Sequence, residues 1–205
     1  MSELSPAACF SPAGAAVVGS CGKLLPNTQG RIVCPVSGAG LGPDQPGELL
    51  IRGPQVMKGY LNNPAATAAT LRDDWLMSGD IAYRDKEGNI FMVDRMKEMI
   101  KVKALQVSPS ELEDILRTHQ EVMDTAVLSC PDDKYGEVPR AYVVKRNRKA
   151  DSQTVAASIH DYLNTRIADH KRLRGGIVFM DTIPRSPAGK ILKKNIRTMT
   201  KVEAW

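Results

Sequence analysis

The first 46 residues hold glycine, proline, alanine and serine so densely that apolar side chains come only in short bursts: Ala15-Ala16-Val17-Val18, Leu24-Leu25 and Arg31-Ile32-Val33-Cys34. Glycine raises the entropy cost of ordering a helix or strand, and proline removes a backbone donor. Long regular elements are therefore disfavoured, and the segment reads as short strands joined by loops. Gly47 to Gly53 is a clearer strand, bounded by glycine at both ends. Asn63-Pro64 then opens a helix that runs through Ala65 to about Leu71, with Asn as the cap and Pro at the first helical position. Asp80–Arg84 and Asn89–Val93 read as two strands joined by a hairpin turn at Asp85-Lys86-Glu87-Gly88. Up to Asp94 the chain is a small, irregular, mostly β unit.

From Arg95 onward the texture changes. Ile100 to Val107 gives short extended pieces. Ser108-Pro109-Ser110-Glu111 is a capping box with proline at the first helical position, and Leu112, Ile115 and Leu116 mark that helix's apolar face. Ala126-Val127-Leu128 and Ala141-Tyr142-Val143-Val144 are strands, linked through the polar Pro131–Lys134 segment. Asp151 caps a longer helix whose apolar stripe is Val155, Ile159, Tyr162, Leu163 and Ile167. Gly176–Met180 is another strand, and a final helix runs from about Ile191 to Met199. The expectation is an α+β chain of two parts: a β-rich, barrel-like unit over residues 1–94 and a compact α+β domain over 95–205.

Charge divides along the same line. Residues 1–94 carry a net charge of −2 and residues 95–205 a net +7, so the second part suits an anionic partner such as a nucleotide or coenzyme phosphates. The four cysteines, Cys9, Cys21, Cys34 and Cys130, form no C-x-x-C pair, which argues against zinc and against a disulfide framework. No run of about 18 apolar residues occurs, so no membrane-spanning helix is expected. Neither a secretory leader nor a peroxisomal address is visible, and a reducing cytoplasmic setting fits. Gly38–Gly42 is glycine-rich but followed by Pro43 and Pro46 rather than by a helix, so it is read as a surface loop. No Walker-type phosphate loop and no Ser/His/Asp or Cys/His arrangement stands out.

Five segments carry more information together than apart. They are Met1-Ser2-Glu3-Leu4-Ser5-Pro6; Gly47 through Pro64; Trp75-Leu76-Met77-Ser78-Gly79-Asp80; Val93-Asp94-Arg95-Met96-Lys97-Glu98 running on to Glu113; and Pro184-Arg185-Ser186-Pro187-Ala188-Gly189-Lys190. In order and spacing they resemble the adenylate-forming acid–CoA ligase superfamily, which includes 4-coumarate–CoA ligases, fatty acyl-CoA synthetases and beetle luciferases. The resemblance covers the chain as the last third of such an enzyme. It implies that the large N-terminal domain, with the acid pocket and the Ser/Thr/Gly-rich phosphate loop, is missing here.

What the resemblance implies is a two-step reaction using ATP, Mg2+ and coenzyme A. A carboxylate attacks the α-phosphate of ATP to give acyl-AMP and pyrophosphate, and a thiol then takes the acyl group and releases AMP. Lys190 matches the lysine that meets the developing charge of the first step. Asp80 matches the carboxylate that accepts hydrogen bonds from the ribose hydroxyls, a task for which two carboxylate oxygens suit a vicinal diol. Arg95 matches a ribose-contacting arginine, Ser2 a hydroxyl near the phosphates, and Glu3 a magnesium ligand of the hard oxygen type. Lys97 falls where the family keeps a hinge, and Lys101 and Gln106 match polar residues used in the second step. Residues five apart on one strand face opposite ways, so a turn must separate those two if both meet one ligand. Lys103 and Ala104 occupy the place where the family backbone lies close to the pantetheine arm, with Ala104 standing where the family has glycine. Partners implied are ATP or AMP, a carboxylic acid and coenzyme A, with no nucleic acid and no membrane span.

Two other readings stand beside this one. A non-enzymatic basic module could bind nucleic acid or another polyanion through residues 95–205, although aromatic side chains are only 5% of the chain and no stacking platform is visible. Alternatively, adenylation is retained and the acceptor is a carrier-protein thiol or oxygen rather than coenzyme A.

Overall fold

The computed structural model describes residues 1–187 and 189–199. The chain separates into two compact units, the first Met1–Lys97 and the second from Glu98 onward.

The first unit begins with a 3₁₀ turn at Ser2–Leu4. Strands β1 (Cys9–Phe10) and β2 (Lys23–Leu24) form a two-stranded antiparallel ladder. The main sheet contains β3 (Gln29–Val33), β4 (Gly47–Arg52), β5 (Leu71–Arg72), β6 (Trp75–Arg84) and β7 (Ile90–Arg95). β6 is its axis. Leu76 pairs with Ile51 of β4 on one side and Leu71 of β5 on the other, and Ala82 likewise lies between Gly47 and Met92. The sheet is open among the described residues, so the β-rich character expected here comes without barrel closure. Helix α1 (Pro64–Thr70) is capped by the Asn63 side chain, which accepts the Ala66 N–H at 3.0 Å.

Alternation along these strands turns Ile32, Leu49, Ile51, Leu76, Ala82 and Ile90 into one core with Leu4 and Ala8. The Trp75 ring is flanked by the guanidinium groups of Arg31 and Arg52, 4.4 and 5.1 Å from its centroid. β5 and β6 are joined by Asp73 and Asp74 alone, both at positive φ (49° and 64°). A two-residue hairpin whose central residues are both left-handed matches the twist of its strands. The apolar burst Ala15–Val18, expected as a strand, is not one. Left-handed glycines at 14 and 19 bracket it as a turn, and Val18 is 98% exposed.

The second unit is a sheet covered on both faces. β10 (Val122–Asp132) and β11 (Gly136–Lys145) form a long antiparallel hairpin. The other edge of β11 is shared by β12 (Ile177–Phe179), which runs parallel to it, and β8 (Ile100–Val102), which pairs onward with β9 (Leu105–Val107). Val127, Ala141, Val143 and Ile177 point to one face. There they meet Leu112 and Leu116 of α2 (Pro109–Arg117) and Val155, Ile159 and Leu163 of α3 (Ser152–Asn164). Ala126, Leu128, Tyr142, Val144 and Val178 point to the opposite face, against Ile183 and Ile196, the latter on α4 (Lys193–Met199). α4 begins later than the sequence pattern implies, because Ile191 is taken into a bridge with Arg185.

Local signals set the helix starts. Ser108 Oγ accepts the Glu111 N–H at 3.3 Å, and Asp151 Oδ2 accepts the Thr154 N–H at 2.7 Å. One donor on the outer edge of β10 is taken by a side chain: Glu113 of α2, 6% exposed, accepts the Val127 N–H at 2.8 Å. Arg117 approaches the same carboxylate at 3.4 Å. A buried carboxylate is tolerable because it is hydrogen-bonded and paired with a cation.

Ile159 is fully buried at the centre of the larger core. Ile159→Ala should lower the stability of the second unit by about 2–5 kcal/mol in denaturant titration, whereas Met123→Ala, at a 64% exposed residue, should stay within about 0.5 kcal/mol of the parent. Replacing Asp73-Asp74 by Asn-Gly should raise the stability of the first unit by up to about 1 kcal/mol, because both positions are left-handed.

Candidate functional site

The segment that delivers Asp80 is fixed by burial, by one left-handed glycine and by two hydrogen bonds. Trp75 and Leu76 bury and anchor the start of β6. Gly79 takes φ +68°, a left-handed conformation that most side chains resist. Its N–H donates to the carboxylate of Glu48 on β4 at 3.2 Å, and Glu48 is itself buried. Ser78 Oγ accepts the Asp80 N–H at 3.1 Å. The result is a carboxylate at a fixed place on the sheet, directly opposite Arg95 of β7 in the strand register. Asp80 Oδ1 and Arg95 Nε are 2.7 Å apart.

Burial pushes the Asp80 carboxyl above its ordinary range. The Arg95 guanidinium, the Met1 amino group and Lys97 pull it back in part, while Glu3 adds to the rise. Arg95, Lys97 and Glu3 thus all act on Asp80 within the first unit. Glu3 itself is held below the usual carboxylate range by its own backbone N–H and by the Tyr60 hydroxyl, which donates to Oε1 at 2.9 Å. The Glu3 carbonyl also accepts the Met57 N–H at 2.9 Å. The Gly47–Pro64 segment is thereby tied to the first motif through Met57 and Tyr60, and to the Asp80 motif through Glu48. Ser2 lies in the same 3₁₀ turn as Glu3 and is exposed. Lys97 is in the short turn Met96–Glu98, the last residue of the first unit.

In the second unit, β8 and β9 are a hairpin that places Lys101 directly across from Gln106. The turn required to bring those two side chains to one face is present. Its residues are Lys103 and Ala104, both exposed, and the left-handed position falls on Lys103 (φ +55°). Position 104 therefore carries no positive-φ requirement, and alanine sits there without backbone strain. The Lys103 ammonium lies 5.0 Å from the Tyr135 ring centroid, and the Lys101 N–H donates to Glu137 Oε2 at 2.9 Å.

Lys190 belongs to a different hairpin. Arg185 bridges to Ile191, the Ser186 N–H donates to the Lys190 carbonyl at 2.8 Å, and the Gly189 N–H donates to the Ser186 carbonyl at 2.8 Å. Gly189 has φ +81°, a left-handed conformation that glycine adopts without steric cost. Ser186 Oγ also accepts the Lys190 N–H at 3.2 Å, and the Leu192 N–H donates to the Pro184 carbonyl at 2.8 Å. The backbone on both sides of Lys190 is consequently tied down, while its side chain is exposed and makes no ion pair with a described residue. Ala188 lies outside the described residues.

Two residues that support these groups escaped sequence reasoning: Glu48 and Tyr60. Each acts through a contact distant in sequence, and only their motif membership hinted at a role. Among the described residues no cluster of three or more His, Cys, Asp or Glu could hold a metal by itself. No described helix is long and apolar enough to cross a membrane, and all four cysteines are free.

Residues 1–61 match the AMP-binding enzyme family and residues 111–190 match the AMP-binding enzyme C-terminal domain. The chain is 47% identical over 179 residues to a peroxisomal OPC-8:0-CoA ligase of Arabidopsis thaliana, covering 87% of this chain and 32% of that protein. It is 45% identical over 203 residues to a 4-coumarate–CoA ligase of Oryza sativa subsp. japonica, covering 96% and 35%. Among solved structures, o-succinylbenzoate coenzyme A synthetase of Bacillus subtilis in complex with AMP superposes with a TM-score of 0.81 at 30% identity, covering 100% of this chain and 40% of that one. ATP-bound MatB of Rhodopseudomonas palustris gives 0.83 at 28%, covering 92% and 37%. The chain belongs to the superfamily of adenylate-forming, AMP-binding enzymes and corresponds to the C-terminal portion of its members. The two sequence relatives just described are acid–CoA ligases, and this chain spans about a third of their length.

Because Arg95 opposes the effect of burial on Asp80, Arg95→Gln should move the Asp80 titration further upward. Side-chain carboxyl NMR over a pH series reads this directly, and a downward or absent shift would remove Arg95 as the charge partner.

Proposed function

We propose that this chain is the C-terminal part of an ATP-dependent acid–CoA ligase, with residues 1–94 closing the large AMP-binding domain and 95–205 forming its lid. Lys190 carries the reading: a cation on a braced hairpin with no ion-pair partner among the described residues, in the motif where the superfamily places its adenylation lysine. In the first step a carboxylate oxygen attacks the α-phosphorus of ATP. The bond to the oxygen bridging the α- and β-phosphates breaks, and pyrophosphate leaves. Negative charge gathers between two anions, and a preorganised ammonium in a water-poor cleft stabilises that arrangement more than it stabilises the separated reactants.

Asp80 and Arg95 are assigned to the ribose. The carboxylate accepts from the vicinal hydroxyls, and Arg95 orients it and offsets part of the effect of its burial. ATP enters as its magnesium complex. Glu3 offers the ion a single ionised carboxylate, which fits a metal that is held by one or two carboxylates together with substrate phosphates. Ser2 stands beside it for the same phosphates. In the second step the coenzyme A thiol loses its proton and attacks the acyl carbon, and AMP departs. Lys101 and Gln106, adjacent across their hairpin, serve that step, with Lys103 and Ala104 lying along the pantetheine arm. Lys97 is the pivot on which the lid changes from one role to the other.

The test uses the full-length protein and a panel of aromatic and fatty carboxylic acids that includes 4-coumarate. Acid-dependent pyrophosphate release is expected with ATP and magnesium. Lys190→Ala should lower it by about 10²–10³-fold, the scale of removing one preorganised charge-stabilising group. Release that survives Lys190→Ala unchanged would overturn the assignment, as would the absence of release with every acid.

A further inference from the structure

The Lys190 hairpin is held by a second residue far away in sequence. The guanidinium of Arg185, five residues before Lys190, spans two partners. Its Nε and Nη2 grip the carboxylate of Asp124 on β10, with Nη2 at 2.9 Å from Oδ1 and 3.0 Å from Oδ2 and Nε at 3.3 Å from Oδ2. Its Nη1 donates to the Gly189 carbonyl at 3.0 Å. That carbonyl belongs to the peptide group leading into Lys190. A planar fork can bind a carboxylate with one edge and still reach a carbonyl with its remaining nitrogen, which a lysine ammonium cannot reproduce.

The strand is shaped to present Asp124 at this point. The β10–β11 register slips between Val122 and Asp124, where Met123 is the extra residue. Val122 lies opposite Lys145 and turns into the core beneath α2 and α3. Asp124 lies opposite Val144, on the face that carries Ala126, Leu128 and α4. Without the bulge, residues 122 and 124 would share a face. With it, one residue goes into the core and the other toward the Lys190 hairpin, the re-aiming for which bulges are suited. Asp124 is fixed further by the Thr125 N–H, which donates to Oδ1 at 2.9 Å, while Thr125 Oγ1 donates to the Tyr142 carbonyl at 3.0 Å.

We infer that Asp124 is a positioning residue for adenylation, holding Lys190 in place through the Arg185 fork and the Gly189 carbonyl. The inference rests on the assignment of Lys190 made above. Asp124 touches no reactant in this scheme, so its effect falls on the step that Lys190 serves and not on the thioester step, which belongs to the Lys101–Gln106 hairpin.

The experiment separates the two half-reactions in the full-length protein, using the acid selected by the pyrophosphate screen. Asp124→Asn and Arg185→Lys should each lower acid-dependent pyrophosphate release roughly 10–100-fold, the scale of a misplaced catalytic group. Thioester formation from supplied acyl-adenylate and coenzyme A should stay within about twofold of the parent. Because both substitutions break one clamp, the double variant should lose no more than the worse single one. Arg185→Lys keeps the charge and supplies the answer if Asp124→Asn does not fold. Pyrophosphate release within twofold of the parent in both variants, while Lys190→Ala abolishes it, would overturn the positioning role and leave the functional reading standing. An equal fall in both half-reactions would also overturn it, since Asp124 would then be supporting the unit as a whole. Lys190→Ala without effect would overturn the functional reading itself.

Discussion

The pairing of β11 on both of its edges is the constraint from which the second unit follows. One edge is taken along its length by β10, and the other is divided between β12 and the β8–β9 hairpin. A strand buried at the middle of a sheet must place apolar side chains on both faces, and Ala141, Tyr142, Val143 and Val144 do so in alternation. That demand brings α2 and α3 to one face and α4 to the other. It also determines where the two hairpins proposed to serve the reaction emerge: the Lys101–Gln106 hairpin from one end of the shared edge, and the Lys190 hairpin from the connection between β12 and α4.

In the first unit the comparable constraint is electrostatic. Asp80 is drawn into partial burial by the sheet, and burial alone would favour its neutral form. The arginine opposite it in the register works against that tendency, as do the more distant Met1 amino group and Lys97. These neighbours offset part of the effect of burial, and the carboxyl still stays above its ordinary range. Glu48 and Gly79 hold the backbone from which it projects. Three stretches well separated in sequence converge on one small region through the β6–β7 pairing and through the Glu48, Met57 and Tyr60 hydrogen bonds.

Local chemistry was legible in the sequence wherever one side chain decides the outcome. Asn63, Ser108 and Asp151 each cap the helix they precede, and Asp85–Gly88 turns between β6 and β7. The need for a turn between Lys101 and Gln106 also followed from strand geometry, and the two residues are paired. Long-range decisions were hidden. Ala15–Val18 looks like a strand by composition, but no partner strand pairs with it among the described residues. The late start of α4 depends on Ile191 being taken by Arg185, and the bulge at Met123 depends on competing demands from two faces of one sheet. Motif spacing pointed to Asp80, Arg95 and Lys190, yet it was silent on the residues that hold them. Tyr60, Glu48 and Asp124 reach their partners across 57, 31 and 61 positions respectively.

Glu113 has an effect beyond the helix that carries it. Val127 and Ala141 form a pair in which neither N–H points at the other strand: Ala141 donates to Gly176, and Val127 faces outward to Glu113. An outermost strand with a vacant donor invites another polypeptide to extend the sheet. Here the donor nearest the middle of that strand is already occupied from within, by a carboxylate that would also repel an approaching carbonyl oxygen. The midpoint of the unit's longest border is in this way withheld from self-templating, at the place where an incoming strand would otherwise find its first free donor.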